Sequence, residues 1–273
     1  MCFVVLPGLV ACSAEVVANE ATRLTAVIEI DRTISDLSDP GHSSAIARFV
    51  RAGAGDDAAL RLVSASSDLP AIGTCASGGA PSGSAQSFKR EGPVELLDVG
   101  NVTIAQLSAA GTGVRSTLVA RRLPDVVDLV SGVVYTARGP EDGSFGPGRY
   151  SLRVAGSADV PSFVREADAP ATLSLVRVAD QDANGTIVVD GASDVSWESG
   201  SERDVVVIEV TGSPSTMRCS FGDLGHATVP AGAFGAQGTL TLRRIHREPF
   251  AAAGVDRGEI RFEFARIVPY RHR

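Results

Sequence analysis

Apolar and polar residues alternate in short stretches along most of the chain after residue 23. The alternation is clearest in segments 24–30, 150–154, 206–210 and 260–264. Because successive side chains of a strand point to opposite faces of a sheet, a period of two predicts β-strands with one buried face. Glycine, proline, aspartate and serine interrupt the alternation every ~8–12 residues, which is typical of β-sandwiches. The pattern therefore predicts an all-β fold.

One segment, LPDVVDLVSG, departs from this alternation. Pro124 occupies a first-turn position and Gly132 provides a stop. Val126, Leu129 and Val130 fall on one side at helical spacing. We therefore expect at most one short helix, near residues 124–131.

Two interruptions divide the chain. Residues 66–92 are rich in Gly, Ser, Ala and Pro and show no periodicity, which predicts a long exposed loop or an excursion between sheets. The shorter DAPAT segment at 168–172 is marked by proline and predicts a domain boundary. We expect one β-sandwich domain over residues 24–167 and a second over residues 168–273.

The second predicted domain holds about seven strand candidates in roughly 100 residues, the size of an immunoglobulin fold. Val195 and Trp197 share a face in ASDVSWESG, and the strand DVVVIEV follows after a turn. This segment, with its inward tryptophan, resembles the early strands of fibronectin-type and immunoglobulin-like domains. The resemblance implies an immunoglobulin-like β-sandwich and, because many unrelated functions share that fold, it implies no activity.

Composition and charge exclude several classes of protein. The chain is 44% hydrophobic and 21% charged, which suits a packed globular protein. Its net charge is -7, and arginine supplies nearly all the positive charge because Lys89 is the one lysine. We expect no nucleic-acid partner, since that binding needs clustered Lys and Arg to neutralise phosphates. No apolar run approaches the ~20 residues that span a bilayer.

The first twelve residues, MCFVVLPGLVAC, form an apolar run that ends at a cysteine. Pro7 and Gly8 interrupt the run and argue against a strand. Its length suits the apolar region of a secretory signal peptide. An uncleaved strand and a secretory signal without lipidation are the alternatives to the interpretation that follows.

The tetrapeptide LVAC at residues 9–12 resembles the lipobox of bacterial lipoproteins. The resemblance implies a cleaved signal peptide over residues 1–11, a lipid on the Cys12 thiol and a tether over residues 12–23. It therefore implies an exported protein of the cell envelope, held at a membrane by its lipid. Ser13, directly after the cysteine, is similar to the outer-membrane sorting signal of Gram-negative lipoproteins.

Two cysteines remain if Cys2 leaves with the signal peptide and Cys12 carries lipid. In an oxidising envelope compartment an even number of remaining cysteines favours a disulfide bond, so Cys75 and Cys219 are the candidate pair. Such a bond would tie the two predicted domains together. The alternative is two free thiols, one of them buried as a small hydrophobic residue.

Asp180, Asp182, Asn184 and Asp190 place side-chain oxygens along DQDANGTIVVD. The segment resembles the DxDxDG loops of calcium-binding proteins, in which glycine permits the turn and Ca²⁺ takes 6–8 oxygen ligands. The closing acidic ligand, however, comes one position early. A β-hairpin with Asn184-Gly185 as its turn is the other interpretation. We expect the hairpin and no cofactor, with calcium as the alternative.

The sequence contains none of the common catalytic signatures: no G-x-S-x-G, H-E-x-x-H, C-x-x-C or glycine-rich phosphate loop. His246 has the parity of Leu240 and Leu242, so we expect an inward structural histidine. Together with Glu248 it would supply only part of a zinc site, which needs three or four ligands.

These observations predict a non-catalytic binding or structural module displayed at a membrane surface, and we expect no enzymatic activity. Its partners would be the membrane, through the lipid anchor, and an unidentified envelope protein or glycan. The alternatives are a calcium-stabilised adhesion module and an envelope hydrolase whose site is not visible in the sequence.

Overall fold

The computed structural model describes residues 22–35, 41–53, 69–77, 94–107, 113, 115–123, 130–138, 145–174, 176–212 and 215–273. The strands are β1 (Thr22–Ile34), β2 (His42–Gly53), β3 (Thr74–Ser77), β4 (Val94–Leu96), β5 (Val102–Leu107), β6 (Arg115–Leu123), β7 (Val130–Arg138), β8 (Gly148–Val154), β9 (Phe163–Ala169), β10 (Arg177–Val178), β11 (Gln181–Asp182), β12 (Ile187–Val189), β13 (Ser193–Ser196), β14 (Val205–Gly212), β15 (Ser215–Gly222), β16 (His226–Val229), β17 (Gln237–Ala252) and β18 (Val255–His272). A 3₁₀ turn, Ala231–Ala233, precedes β17.

The predicted all-β class is confirmed, because the described residues contain strands, turns and one 3₁₀ turn but no α-helix. Of the helix expected near 124–131, residues 124–129 lie outside the described part of the chain. Val130 and Ser131 belong to β7, whose pairing with β4 continues to Gly132. No helix in the described ranges is long and apolar enough to cross a membrane.

Fourteen strands form one large sheet in the order β3-β15-β14-β17-β18-β1-β2-β4-β7-β6-β5-β8-β9, with β12 added beside the end of β18. The pairs β1–β18, β12–β18 and β4–β7 are parallel. The four remaining strands form a small sheet in the order β11-β10-β13-β16.

One face of the large sheet carries two apolar cores. The first core is built by β1, β2 and β5–β9 together with Val255, Ile260, Phe262 and Phe264 of the last strand. The second core lies between the large sheet and the small sheet, and Trp197 packs there with residues of β14, β17 and β18. The alternation of segment 206–210 follows from this sandwich-like arrangement, since every second side chain of the strand enters the second core.

The hairpin of β17 and β18 belongs to both cores. Phe250 and Phe262 pack in the first core, whereas Leu240 and Tyr270 pack in the second. The chain passes from the first core to the second near the predicted boundary at 168–172, but this final hairpin returns to the first. One continuous hairpin therefore supports both halves of the molecule.

Segment 66–92, expected to be a loop, contains the edge strand β3, so that expectation is wrong for Thr74–Ser77. Four residues of β3 pair with β15, from Thr74 opposite Ser220 to Ser77 opposite Met217. All four side chains are exposed. The sequence of β3 shows no apolar alternation because an edge strand that buries no side chain does not require one.

Candidate functional site

Cys75 and Cys219 form a disulfide bond between β3 and β15, where they are register partners. Cys219 is fully buried and Cys75 is exposed at the edge of the sheet. The bond therefore fastens the edge strand to the sheet that covers the second core. Cys12, the predicted lipidation site, lies outside the described residues.

Two of the four predicted calcium ligands face arginines. The Asp182 carboxylate lies 3.3 Å from the Arg177 guanidinium, and the Asn184 side-chain oxygen accepts a hydrogen bond of 3.1 Å from Arg266. Across the described ranges, no group of three His, Cys, Asp or Glu side chains could hold a metal ion. Calcium binding at Asp180, Asp182, Asn184 and Asp190 stays a prediction, and a bound ion would compete with both arginines.

The expected hairpin turn at Asn184-Gly185 is wrong. The chain turns instead at Ala179 and Asp180, whose φ angles of 47° and 62° suit a tight hairpin turn between β10 and β11. The following TIVVD segment forms β12, which pairs in parallel with β18. Arg266 binds Asn184 and the preceding carbonyl oxygen, so a tertiary contact outweighs the local turn preference.

A belt of buried polar side chains separates the two cores on the same sheet face. Arg244 and Arg266 occupy positions of β17 and β18 where the alternation calls for apolar residues, and both are buried. Arg244 donates to the carbonyl oxygen of Ala171 at 2.8 Å, and Arg266 donates to that of Ser174 at 2.5 Å. The two arginines thus hold the segment that links the cores.

Asp223 is the acceptor at the centre of this belt, and its side chain is completely buried. It lies 2.7 Å from the Arg244 guanidinium and accepts hydrogen bonds from the Trp197 indole at 2.6 Å and the Gly200 backbone at 3.0 Å. Because a buried carboxylate needs such partners, this cluster is structural.

His246 lies beside the belt and faces inward, as its parity predicts. Its Nδ1 atom is 2.6 Å from the buried Asp204 carboxylate, and its Nε2 atom is 3.5 Å from Glu248. The hydrogen bond with Asp204 raises the pKa of the His246 imidazole, although burial opposes this rise. Sequence reasoning paired His246 with Glu248 but missed Asp204, because nothing local connects residues 42 positions apart.

The opposite face of the large sheet carries a cavity of about 250 Å³. It lies over β1, β2, β14, β15, β17 and β18. Seven charged side chains line it: Glu29, Asp31, Arg48, Glu209, Arg218, Arg243 and Glu263. This concentration of charge on the outer face of the sheet is the best candidate for a binding site.

Three ion pairs organise the cavity. The distances are 2.6 Å for Arg48–Glu29, 2.7 Å for Arg218–Glu209 and 2.8 Å for Arg243–Glu263. The first pair is mostly buried, whereas Arg218 and Arg243 keep more than two fifths of their side-chain surface exposed (41% and 44%). Solvent and solutes can therefore reach two of the three guanidinium groups.

Asp31 adds a further carboxyl group to the cavity and accepts a hydrogen bond from the Ser44 hydroxyl. Burial raises the pKa of the Asp31 carboxyl, and the neighbouring Glu263 and Glu29 carboxylates add to the effect. The cavity thus offers both acceptors and donors to a ligand.

Sequence reasoning missed this cavity. The alternation does assign Glu29 and Asp31 to the side of β1 that faces away from the core. The cavity, however, depends on the strand order, in which β1 lies parallel to β18 although Thr25 and Arg257 are far apart in sequence. No local pattern signals that pairing.

No known protein family matches this chain, and no curated protein matches it.

Proposed function

We propose that this protein is a non-catalytic binding module of the cell envelope, attached to a membrane through a lipid on Cys12. The observation that carries the binding role is the charged cavity on the outer face of the large sheet. The proposal includes an immunoglobulin-like second half, which the inward position of Trp197 between two sheets supports.

The cavity suits a polar ligand that presents both hydrogen-bond donors and acceptors. Glu209 and Arg218 are partly exposed, so a ligand can exchange hydrogen bonds with them without first being buried completely. Surface ion pairs of this kind contribute only about 0–1 kcal/mol, so a ligand that replaces them meets little opposition. A glycan or a polar segment of another envelope protein has the required chemistry.

The disulfide supports the exported location. Disulfide bonds persist in oxidising compartments such as the bacterial periplasm and are rare in the cytosol. The Cys75–Cys219 bond agrees with the export that the lipobox resemblance implies.

The test is crosslinking in intact cells that express the full-length protein and are supplied with labelled palmitate. The wild type should incorporate the label and capture one dominant partner. Cys12→Ser should lose the label, and Glu209→Gln with Arg218→Gln should keep it but capture much less of the partner.

Arg51→Gln with Glu95→Gln is the matched control, because it removes an exposed ion pair of 3.0 Å that lies outside the cavity. It should capture as much partner as the wild type. Equal labelling of wild type and Cys12→Ser would overturn the anchor, and equal capture by the cavity variant and the wild type would overturn the binding site.

A further inference from the structure

The outer face of β6, β5, β8 and β9 concentrates exposed aliphatic side chains. Six large hydrophobic residues are exposed among the described residues, and four of them lie on this face. They are Leu107, Val119, Leu123 and Val164, with exposures of 42%, 58%, 38% and 46%. Their strand positions alternate with residues that enter the first core, such as Leu118 and Phe163.

Exposed arginines lie next to these aliphatic side chains. Arg149 is the register partner of Leu107, and Arg153 is the register partner of Val164. Arg121 follows Val119 by two residues and precedes Leu123 by two, so all three share one face of β6. Arg115, the first residue of β6, lies on the same face. We call these four arginines and four aliphatic residues the outer arginine face.

This face is positively charged although the whole chain has a net charge of -7. The outward positions of β5, β6 and β8 contain no acidic residue, and the acids of the face are Glu166 and Asp168 on the edge strand β9. Glu166 pairs with Arg149 at 2.7 Å. None of the described carboxylates forms an ion pair with the other three arginines. Within the described part of the chain, three guanidinium groups of this face therefore have no carboxylate partner.

We propose that the outer arginine face docks on the surface of a bilayer that contains anionic phospholipids. Guanidinium groups bind phosphate through paired hydrogen bonds, and interspersed aliphatic side chains can enter the boundary between headgroups and acyl chains. A free phosphate ion would use the arginines alone. A lipid surface satisfies both chemistries, and its charge is complementary to the face.

The inference rests on the proposed function in one respect, since a lipid on Cys12 would already hold the chain beside a bilayer. The docking face would then set the orientation of the anchored protein. Because the cavity residues and the face residues are different, each can be altered without the other.

The test uses the full-length chain with Cys12→Ser, which cannot carry the lipid, in sedimentation with vesicles. Vesicles of phosphatidylcholine with phosphatidylglycerol should bind the protein, and vesicles of phosphatidylcholine alone should not. Binding should weaken as salt screens the charges. Replacing Arg115, Arg121 and Arg153 by Gln should lower the affinity by roughly a hundredfold, given the usual contribution of each basic residue near an anionic surface.

Arg203→Gln, Arg257→Gln and Arg271→Gln together form the matched control, because they remove the same charge from exposed positions elsewhere. This control should bind like the parent. A further variant, Val119→Ser with Val164→Ser, should weaken binding and leave its salt dependence unchanged. Circular dichroism checks that each variant retains the fold.

Equal loss of affinity in the two triple variants would overturn the docking face, as would equal binding to both kinds of vesicle or to neither. Inorganic phosphate can be added as a competitor for vesicle binding. If it displaced the protein from the vesicles as effectively as an excess of unlabelled vesicles did, the face would be a phosphate site and not a membrane-docking surface. Capture of an acidic protein in place of vesicles would also overturn the proposal. None of these results depends on palmitate labelling or on capture through the cavity.

Discussion

At the scale of the residue, His246 is the titratable side chain whose environment is most informative. It bridges two carboxylates, with Asp204 at 2.6 Å and Glu248 at 3.5 Å. Asp204 is almost completely buried, so its negative charge favours the protonated imidazole. The hydrogen bond to Asp204 therefore raises the pKa of His246, and the folded protein holds this proton more tightly than the unfolded chain does.

The free energy of unfolding should depend on pH through this residue. A raised pKa in the folded state gives a stabilising contribution that is complete below the unfolded pKa of about 6.5 and is lost as the pH rises through the folded pKa. Urea unfolding at pH 5.5, 6.5, 7.5 and 8.5, all at the same ionic strength so that charge screening stays constant, measures this loss. His246→Gln should remove most of it.

His226→Gln is the control for this measurement, because that side chain lies exposed on β16. Its pH profile should match that of the wild type. The proposal for His246 fails if His246→Gln retains the wild-type dependence on pH above 6.5.

At the scale of the element, the edge strand β3 depends on one covalent bond. Four residues of β3 pair with β15 and none of its side chains is buried, so packing contributes little to holding it. The disulfide closes a loop between positions 144 residues apart. In the chain-entropy model a loop of that length stabilises the folded state by up to about 5 kcal/mol.

Cys75→Ser should therefore lower the free energy of unfolding and increase amide hydrogen exchange in β3 more than in β15. The remaining Cys219 thiol stays buried as a small hydrophobic group. Urea unfolding and hydrogen exchange measure the two effects. Cys12→Ser is the control and should change neither. Alkylation of both Cys75 and Cys219 in the native protein without reductant would contradict the bond.

The elements that the sequence predicts well are those that bury one face. Segment 24–30 alternates because every second residue of β1 enters the first core, and Trp197 was expected inward for the same reason. The strand β3 buries no side chain, so no alternation marks it. The Asn184-Gly185 turn was misassigned because Arg266, distant in sequence, binds that segment.

The candidate site was less predictable than the fold. The alternation within β17 predicts that His246 faces inward. Its partner Asp204, however, comes from a loop before β14. The cavity and the outer arginine face both require the order of strands in the large sheet. That order depends on pairings such as β1 with β18, which no local sequence pattern encodes.

At the scale of the whole molecule, the two cores share one hairpin and are separated by the buried polar belt. Arg244 is the largest side chain that is fully buried among the described residues, and it joins β17 to Asp223 and to the linking segment at Ala171. Because β17 and β18 run through both cores, losing either core would expose apolar residues of the same hairpin. The cores should therefore unfold together.

Urea unfolding should give one midpoint by two probes. Trp197 fluorescence follows the second core, and hydrogen exchange in β5 and β8 follows the first.

Arg244→Met should lower the free energy of unfolding by about 3–5 kcal/mol, because it leaves the buried Asp223 charge without its cation. Both probes should shift equally. Arg243→Met, next in sequence but on the partly exposed face, should cost at most about 1 kcal/mol. If Arg244→Met shifted the Trp197 transition and left β5 and β8 unchanged, the two cores would be independent, and the shared hairpin would be a connection without energetic coupling.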